Sequence, residues 1–99
     1  MTSLCVYEAQ MTVAWPESHA GRMYWFASAM RSLVDVGISD AYWLNEDGVG
    51  VYRASIYLAY YGDRVEKLEG KLAGIEALIA AEKLRGGAVV AMRSQRGER

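Results

Sequence analysis

From Val51 to Ile79, apolar side chains recur with alternating spacings of three and four: Val51, Ala54, Leu58, Tyr61, Val65, Leu68, Leu72, Ile75 and Ile79. On a helix that spacing holds one stripe of side chains in line for about four heptads, the a/d pattern of a pairing seam. Arg64 and Lys71 fall at g positions, Glu69 and Glu76 at e positions. In a parallel pair each cation would face the following acid on the second helix. The pattern therefore predicts a long helix over 50–85 that associates with a second copy through Tyr61, Val65, Leu68, Leu72, Ile75 and Ile79. Gly62-Asp63, with Glu66 three residues on, resembles a helix stop and a new capping box, but the phase runs through it, so one bent helix is expected. Gly70 and Gly74, among Ala73, Ala77, Ala80 and Ala81, leave a smooth flank, either for close approach of another backbone or as a plain solvated face.

Upstream, residues 4–15 alternate. Cys5, Tyr7, Ala9, Met11, Val13 and Trp15 share one face, and Glu8, Gln10 and Thr12 lie on the other. Period two with Val, Tyr, Thr and Trp reads as a strand, which needs a partner for its backbone groups. The 88–92 stretch or the same strand of another subunit can supply one. Pro16 and Glu17 suit the start of a helix that runs to about Val36, with Gly37 as its stop. Met23, Phe26, Met30, Leu33 and Val34 form its stripe, and Tyr24, Trp25 and Ala27 widen it to burial on more than one side. Residues 37–48 read as a connection, because Asn45, Glu46, Asp47 and Gly48 are turn formers. The expected fold is mainly α: an antiparallel helical hairpin with an N-terminal β-strand, in one domain over 1–93. A polar tail over 94–99 is expected to fray.

Two helices and a strand bury little by themselves, so the remaining core is expected from a second copy, most simply in a homodimer. Charge permits this: the first fifty residues carry two arginines against six acids, and the remainder nine cations against six acids. The overall net charge of −1 argues against a whole-domain grip on nucleic acid. No apolar run approaches the length of a membrane span. The single cysteine, Cys5, forms no internal disulfide, and with one histidine it makes no zinc site. A reducing cytoplasm is the compartment expected.

No residue pattern supplies a catalytic, metal or cofactor constellation. His19 is the single histidine, but Glu17 and Ser18 stand too near it in sequence to share its face of a helix. Glu46 and Asp47 are adjacent acids in a turn, without the spacing of a calcium loop. Gly48-Val49-Gly50 lacks the rest of a phosphate loop. What stands out is a crowd of rings between Tyr42 and Tyr61. One helical seam uses Tyr61 and leaves Tyr52, Tyr57 and Tyr60 to find other cover. Aromatic and arginine side chains dominate interfaces, so Trp43, Arg53 and Tyr60 are the expected partner-binding residues. The leading functional expectation is a non-enzymatic protein-binding module, a small adaptor or inhibitor of the size of phage-borne inhibitors, acting on an unidentified protein. Two alternatives stand beside it. One is an oligomer binding a small molecule or nucleotide between subunits, and the other an enzyme using His19.

Overall fold

A computed structural model describes residues 3–99. Its order is β-α-β-β-α-β: β1 Leu4–Trp15, α1 Arg22–Leu33, β2 Ile38–Leu44, β3 Gly50–Tyr61, α2 Val65–Lys83 and β4 Ala88–Glu98. The four strands form one antiparallel sheet in the order β2-β3-β1-β4, the split β-α-β arrangement of ferredoxin-like folds. Both helices pack on the same face of it. No helix among the described residues is long and apolar enough to cross a membrane.

This α+β sandwich corrects the expectation of a mainly helical hairpin, and the error lies in residues 50–61. That segment is a twelve-residue strand paired with β1 from Leu4↔Tyr61 to Trp15↔Gly50. Its sequence carries two periods at once. Tyr52, Ala54, Ile56, Leu58 and Tyr60 alternate with Val51, Arg53, Ser55 and Tyr57. The first set turns toward the helices, with Tyr52 at 0% and Ile56 at 3% exposure. β-branched and aromatic residues settle the choice in favour of a strand once a long neighbour is available to pair with. The helix begins only after a 3-10 turn over Gly62–Arg64.

The rest of the heptad stripe is real but points inward. Leu68 and Ile75 are buried on the chain's own sheet, with Val65, Leu72 and Ile79 packed beside them, and Tyr61 belongs to β3. A single amphipathic helix lying on a sheet shows the same three-four spacing as a paired one. Two of the four e/g charges are also spent within the chain. Glu69 pairs with Arg96 of β4, and Lys71 Nζ donates to the carbonyl of Leu33 at the end of α1. Among the described residues the stripe therefore forms no coiled coil. Of the two glycines on the flank, Gly74 is where the helices close. A Cβ there would come within 2.7 Å of a Leu33 methyl, while one on Gly70 would meet nothing within 4 Å.

Other boundaries shift for local reasons. A 3-10 turn over Glu17–His19 precedes α1. The helix buries one face only, through Met23, Phe26, Ala27 and Met30, and leaves Tyr24 and Trp25 exposed. Gly37 ends the connection to β2 with φ +81°, and a Cβ there would strike the Tyr57 carbonyl at 1.9 Å. The supposed connection is β2, paired with β3 through a turn in which Asn45 Oδ1 accepts from the amides of Asp47 and Val49, both at 2.9 Å. Residues 94–98, read as a frayed tail, continue β4. Ser94 pairs opposite Ala9 and Glu98 opposite Cys5.

The core lies between the sheet and the helices. Trp15, Phe26 and Tyr52 meet edge to face, with centroids 5.4 and 5.2 Å apart. Around it, buried polar groups are satisfied. Glu82 accepts from Trp15 Nε1 at 3.2 Å and from both Nε and Nη2 of Arg22 at 3.3 and 2.7 Å. Tyr52 donates its hydroxyl to Asp40 at 3.1 Å, and Arg31 holds the same carboxylate.

Candidate functional site

In a sheet covered on one side, alternation decides which residues remain available. Odd residues of β1 and even residues of β3 face the helices. Directly paired residues share a face, so the register assigns the other side. β1 supplies Leu4, Val6, Glu8, Gln10, Thr12 and Ala14. β3 supplies Val51, Arg53, Ser55, Tyr57, Ala59 and Tyr61. β2 adds Ser39, Ala41 and Trp43, and β4 adds Ala88, Ala91, Arg93, Gln95 and Gly97. Among the described residues no helix covers this face.

The residues on it are sorted along the strands. At one end Ala14 pairs with Val51 and Ala88, and Val51 with Trp43. At the other, Val6 pairs with Ala59 and Leu4 with Tyr61. Between these apolar ends runs a polar waist, in which Glu8 neighbours Tyr57 and Gln95, Gln10 neighbours Ser55 and Arg93, and Thr12 neighbours Arg53. Two adjoining grooves occupy the waist. One, of about 550 Å³, is lined by Glu8, Gln10, Ser39, Ser55, Tyr57, Arg93 and Gln95 among others. The second, of about 480 Å³, has both Arg53 and Arg93 in its wall, with Thr12 between their strands.

The charges here are lopsided. Glu8 is the waist's one acid, and Arg99 reaches its carboxylate at 3.4 Å. Among the described residues, neither Arg53 nor Arg93 has a carboxylate within ion-pair distance. The Arg53 guanidinium lies over the Trp43 ring, 5.4 Å from its centroid, a contact that orients it while leaving its N–H donors free for another partner.

The three expected partner-binding residues therefore separate. Trp43 and Arg53 come together on the open face. Tyr60 turns to the opposite side, where it packs half-buried against the core. Of the residues that complete the face, Gln10 and Thr12 were placed on the polar side of the first strand by its alternation, and Arg93 was one of several cations near the C-terminus, but Ser55 and Gln95 drew no attention as sequence. They are polar residues with no motif, and Arg93 and Gln95 stood in or beside the supposed tail. The period-two reading of 51–60 was the signal that could have found the β3 members.

His19 lies elsewhere, exposed in the turn before α1, and shares a hydrogen bond of 2.9 Å between its Nδ1 and the Ser18 hydroxyl. The side chain of Glu17 lies against the Gly48 turn. Among the described residues no three His, Cys, Asp or Glu side chains gather as they would around a metal ion. Cys5 is a free thiol buried under the helices.

No family model matches the chain, and no curated protein matches it in sequence. Among solved structures it is similar to the crystal structure of MupZ from Pseudomonas fluorescens, with 18% identity and a TM-score of 0.51 over 95% of this chain and 68% of that one. A de novo designed protein, Foldit4, is a looser likeness at 14% identity and a TM-score of 0.42, covering 93% of this chain and 96% of that one. At such identities the likeness to MupZ is one of fold.

Proposed function

We propose that this protein is a non-enzymatic binding module for a small molecule, acting as a homodimer whose two open sheet faces meet around the ligand. The observation that carries this reading is the sorting of that face into two apolar ends and a grooved polar waist. Apolar ends suit contact with a second copy, because the apolar side chains left in water there, Trp43, Tyr61 and Ala88, mark an interaction site, although Val6 between them is only 4% exposed. A polar waist enclosed between them has the make-up of a ligand site, with few polar groups inside an apolar frame. The two-fold relation of a dimer would set the same residues on both walls. The free buried thiol of Cys5 fits a reducing, cytoplasmic compartment.

The test joins assembly to binding. Light scattering on the eluting protein should give twice the 11.0 kDa chain mass. Val51→Arg and Ala59→Arg, on the two apolar ends, should give monomers that melt like the parent. Naphthoate and naphthalenemethanol serve as probes of the waist, and their addition should move the amide resonances of Gln10, Ser55 and Tyr57. A parent monomer at micromolar concentration removes the dimer, and probes that move none of these resonances remove the ligand site.

A second reading, a module that binds another protein, is favoured by the outer side of α1. There Trp25 is 69% exposed, and Tyr24 stacks edge to face on Tyr42. Aromatic residues in such positions are common in protein interfaces. Trp25→Ala should then abolish capture of the partner while leaving the naphthoate-induced shifts intact.

A further inference from the structure

We infer that Arg53 and Arg93 form a two-armed oxyanion site, so that the ligand of the open face is a small molecule carrying a carboxylate or phosphate on a flat apolar body. The inference rests on the open face being the ligand site and adds the chemistry of what binds there.

Geometry brings the two arginines to one place. They sit on β3 and β4, either side of β1, next to Thr12 and Gln10 respectively. Two inter-strand steps of about 4.8 Å and a two-residue offset of about 7 Å along β1 put their backbones about 12 Å apart, a gap that two long side chains leaning inward can bridge. Both line the same groove. Its other polar members, the hydroxyls of Thr12 and Ser55 and the amide of Gln10, all offer a proton. A carboxylate or phosphate accepts several such bonds at once, and guanidinium is the side chain whose paired donors match its oxygens.

The charge balance points the same way. Of the six other arginines five are already committed, Arg22 and Arg85 to Glu82, Arg31 to Asp40, Arg96 to Glu69 and Arg99 to Glu8, and the sixth, Arg64, stands in the 3-10 turn before α2. Arg53 and Arg93 keep their charge on a face whose one acid is engaged. Two like charges facing one groove repel, and an anion between them removes that repulsion. The ring of Tyr57, 43% exposed, flanks the adjoining groove that Arg93 shares, which gives the apolar body of the ligand a surface to lie on. A long single-stranded nucleic acid fits less well. Of the two central strands, β1 offers it Glu8, Gln10 and Thr12 with no ring on which to stack a base, and β3 offers the waist Tyr57 alone.

The experiment uses the whole chain and compares naphthyl phosphate, naphthoate and neutral naphthalenemethanol by titration calorimetry, with amide shifts to locate each. The two anions should bind about tenfold or more tightly than the alcohol. Arg53→Gln and Arg93→Gln should each weaken the anions about tenfold and leave the alcohol unchanged, with melting temperatures kept. Lys67→Gln, which removes the same charge from the exposed side of α2, should change nothing. If all three probes shift Gln10 and Ser55 with equal affinity, or if either arginine variant binds anions like the parent, the oxyanion site is overturned and the open face survives as a ligand site. If no probe shifts that face, both fail. A phosphate preference over carboxylate names the headgroup. Tighter binding of an oligouridylate than of naphthyl phosphate, lost in the same variants, overturns the small-molecule assignment in favour of nucleic acid.

Discussion

Trp15 donates its indole N–H to Glu82 across 67 residues of sequence, fastening the end of β1 to the last turn of α2 at 3.2 Å. Arg22, at the start of α1, grips the same carboxylate from the other side. Three elements thus meet on one acid that is 5% exposed. Gly87 permits it, since a Cβ there would come within 2.8 Å of the indole nitrogen.

Glu82→Ala should cost about 2–3 kcal/mol, because it leaves the indole donor and a partly buried guanidinium without their acceptor. Glu82→Gln, which keeps an acceptor oxygen, should cost less. Burial alone would raise the Glu82 pKa, but the bonds from Arg22 and Trp15 and the nearby charges of Arg22 and Arg85 outweigh it and hold the carboxyl below its usual value. A lowered folded-state pKa stabilises the protein above the unfolded-state value of about 4.3 and loses that contribution as pH falls through the folded-state value. Urea melts of the parent should therefore weaken in acid more steeply than those of Glu82→Gln. Parallel pH profiles would show that Glu82 does not carry the difference.

Leu68 and Leu72 looked equivalent on the heptad, and the sheet separates them. Leu68 is 0% exposed, and Leu72 packs at the margin of the core. Leu68→Ala should lose about 3–4 kcal/mol and Leu72→Ala clearly less. Equal losses in denaturant melts would place the helix in a different rotation on the sheet.

The two glycines on α2 make a matched test of the same helix. Gly70 has open space around it, so Gly70→Ala should stabilise by about 1 kcal/mol through helix propensity alone. Gly74→Ala must push the Leu33 methyls aside and should give up most of that gain. As sequence the two positions were indistinguishable, because nothing along the chain says which side of a helix a second helix crosses.

The same limit explains the larger misreading. Strand β1 was legible because its alternation has no helical competitor, and the inward stripe of α2 was legible from Leu68 to Ile79. Residues 51–61 satisfy both periods, and the helical one joined smoothly to the true helix after it. The first half of β4, residues 88–92, was legible as a partner for β1, which it is, and its second half was hidden by charge. As an edge strand it carries Arg93, Gln95, Arg96 and Glu98, which are tolerated there because one side of its ladder faces solvent. On the face that became the candidate site, Trp43 and Arg53 were found from residue type alone. Alternation alone put Gln10 and Thr12 on the polar side of β1, but that they adjoin Arg93 and Arg53 emerges only from cross-strand register, which one sequence does not display.

Removal of residues 94–99 should consequently destabilise the fold. It deletes the pairing of Ser94–Glu98 with Cys5–Ala9 and the reciprocal backbone bonds between Leu4 and Arg99, at 2.9 and 2.8 Å. A loss of about 2–3 kcal/mol corresponds to a melting temperature lower by about 10–20 °C in a domain of this size. The newly bared edge of β1 should also make the shortened chain prone to aggregate. A truncated protein that melts with the parent would mean that this half of β4 contributes nothing.

Trp43, Arg53 and Tyr60 give the sharpest test of which side of the sheet does the work. Trp43 and Arg53 touch each other on the open face, and both keep substantial contact with solvent. Removing either ring or guanidinium takes little from the core, so Trp43→Ala and Arg53→Ala should change stability by less than about 1 kcal/mol. Both should weaken naphthoate binding, Arg53→Ala by removing a charge and Trp43→Ala by freeing the guanidinium that the ring orients. Tyr60 faces the other way, packed with the buried residues beneath the helices. Tyr60→Ala should cost about 2–3 kcal/mol by leaving a gap in that layer, with binding unchanged in conditions where the variant stays folded. Calorimetric binding and thermal melts on the same three proteins separate the two effects. Lost binding in Tyr60→Ala without lost stability, or lost stability in Trp43→Ala and Arg53→Ala without lost binding, would move the site from the open face of the sheet to the helical side.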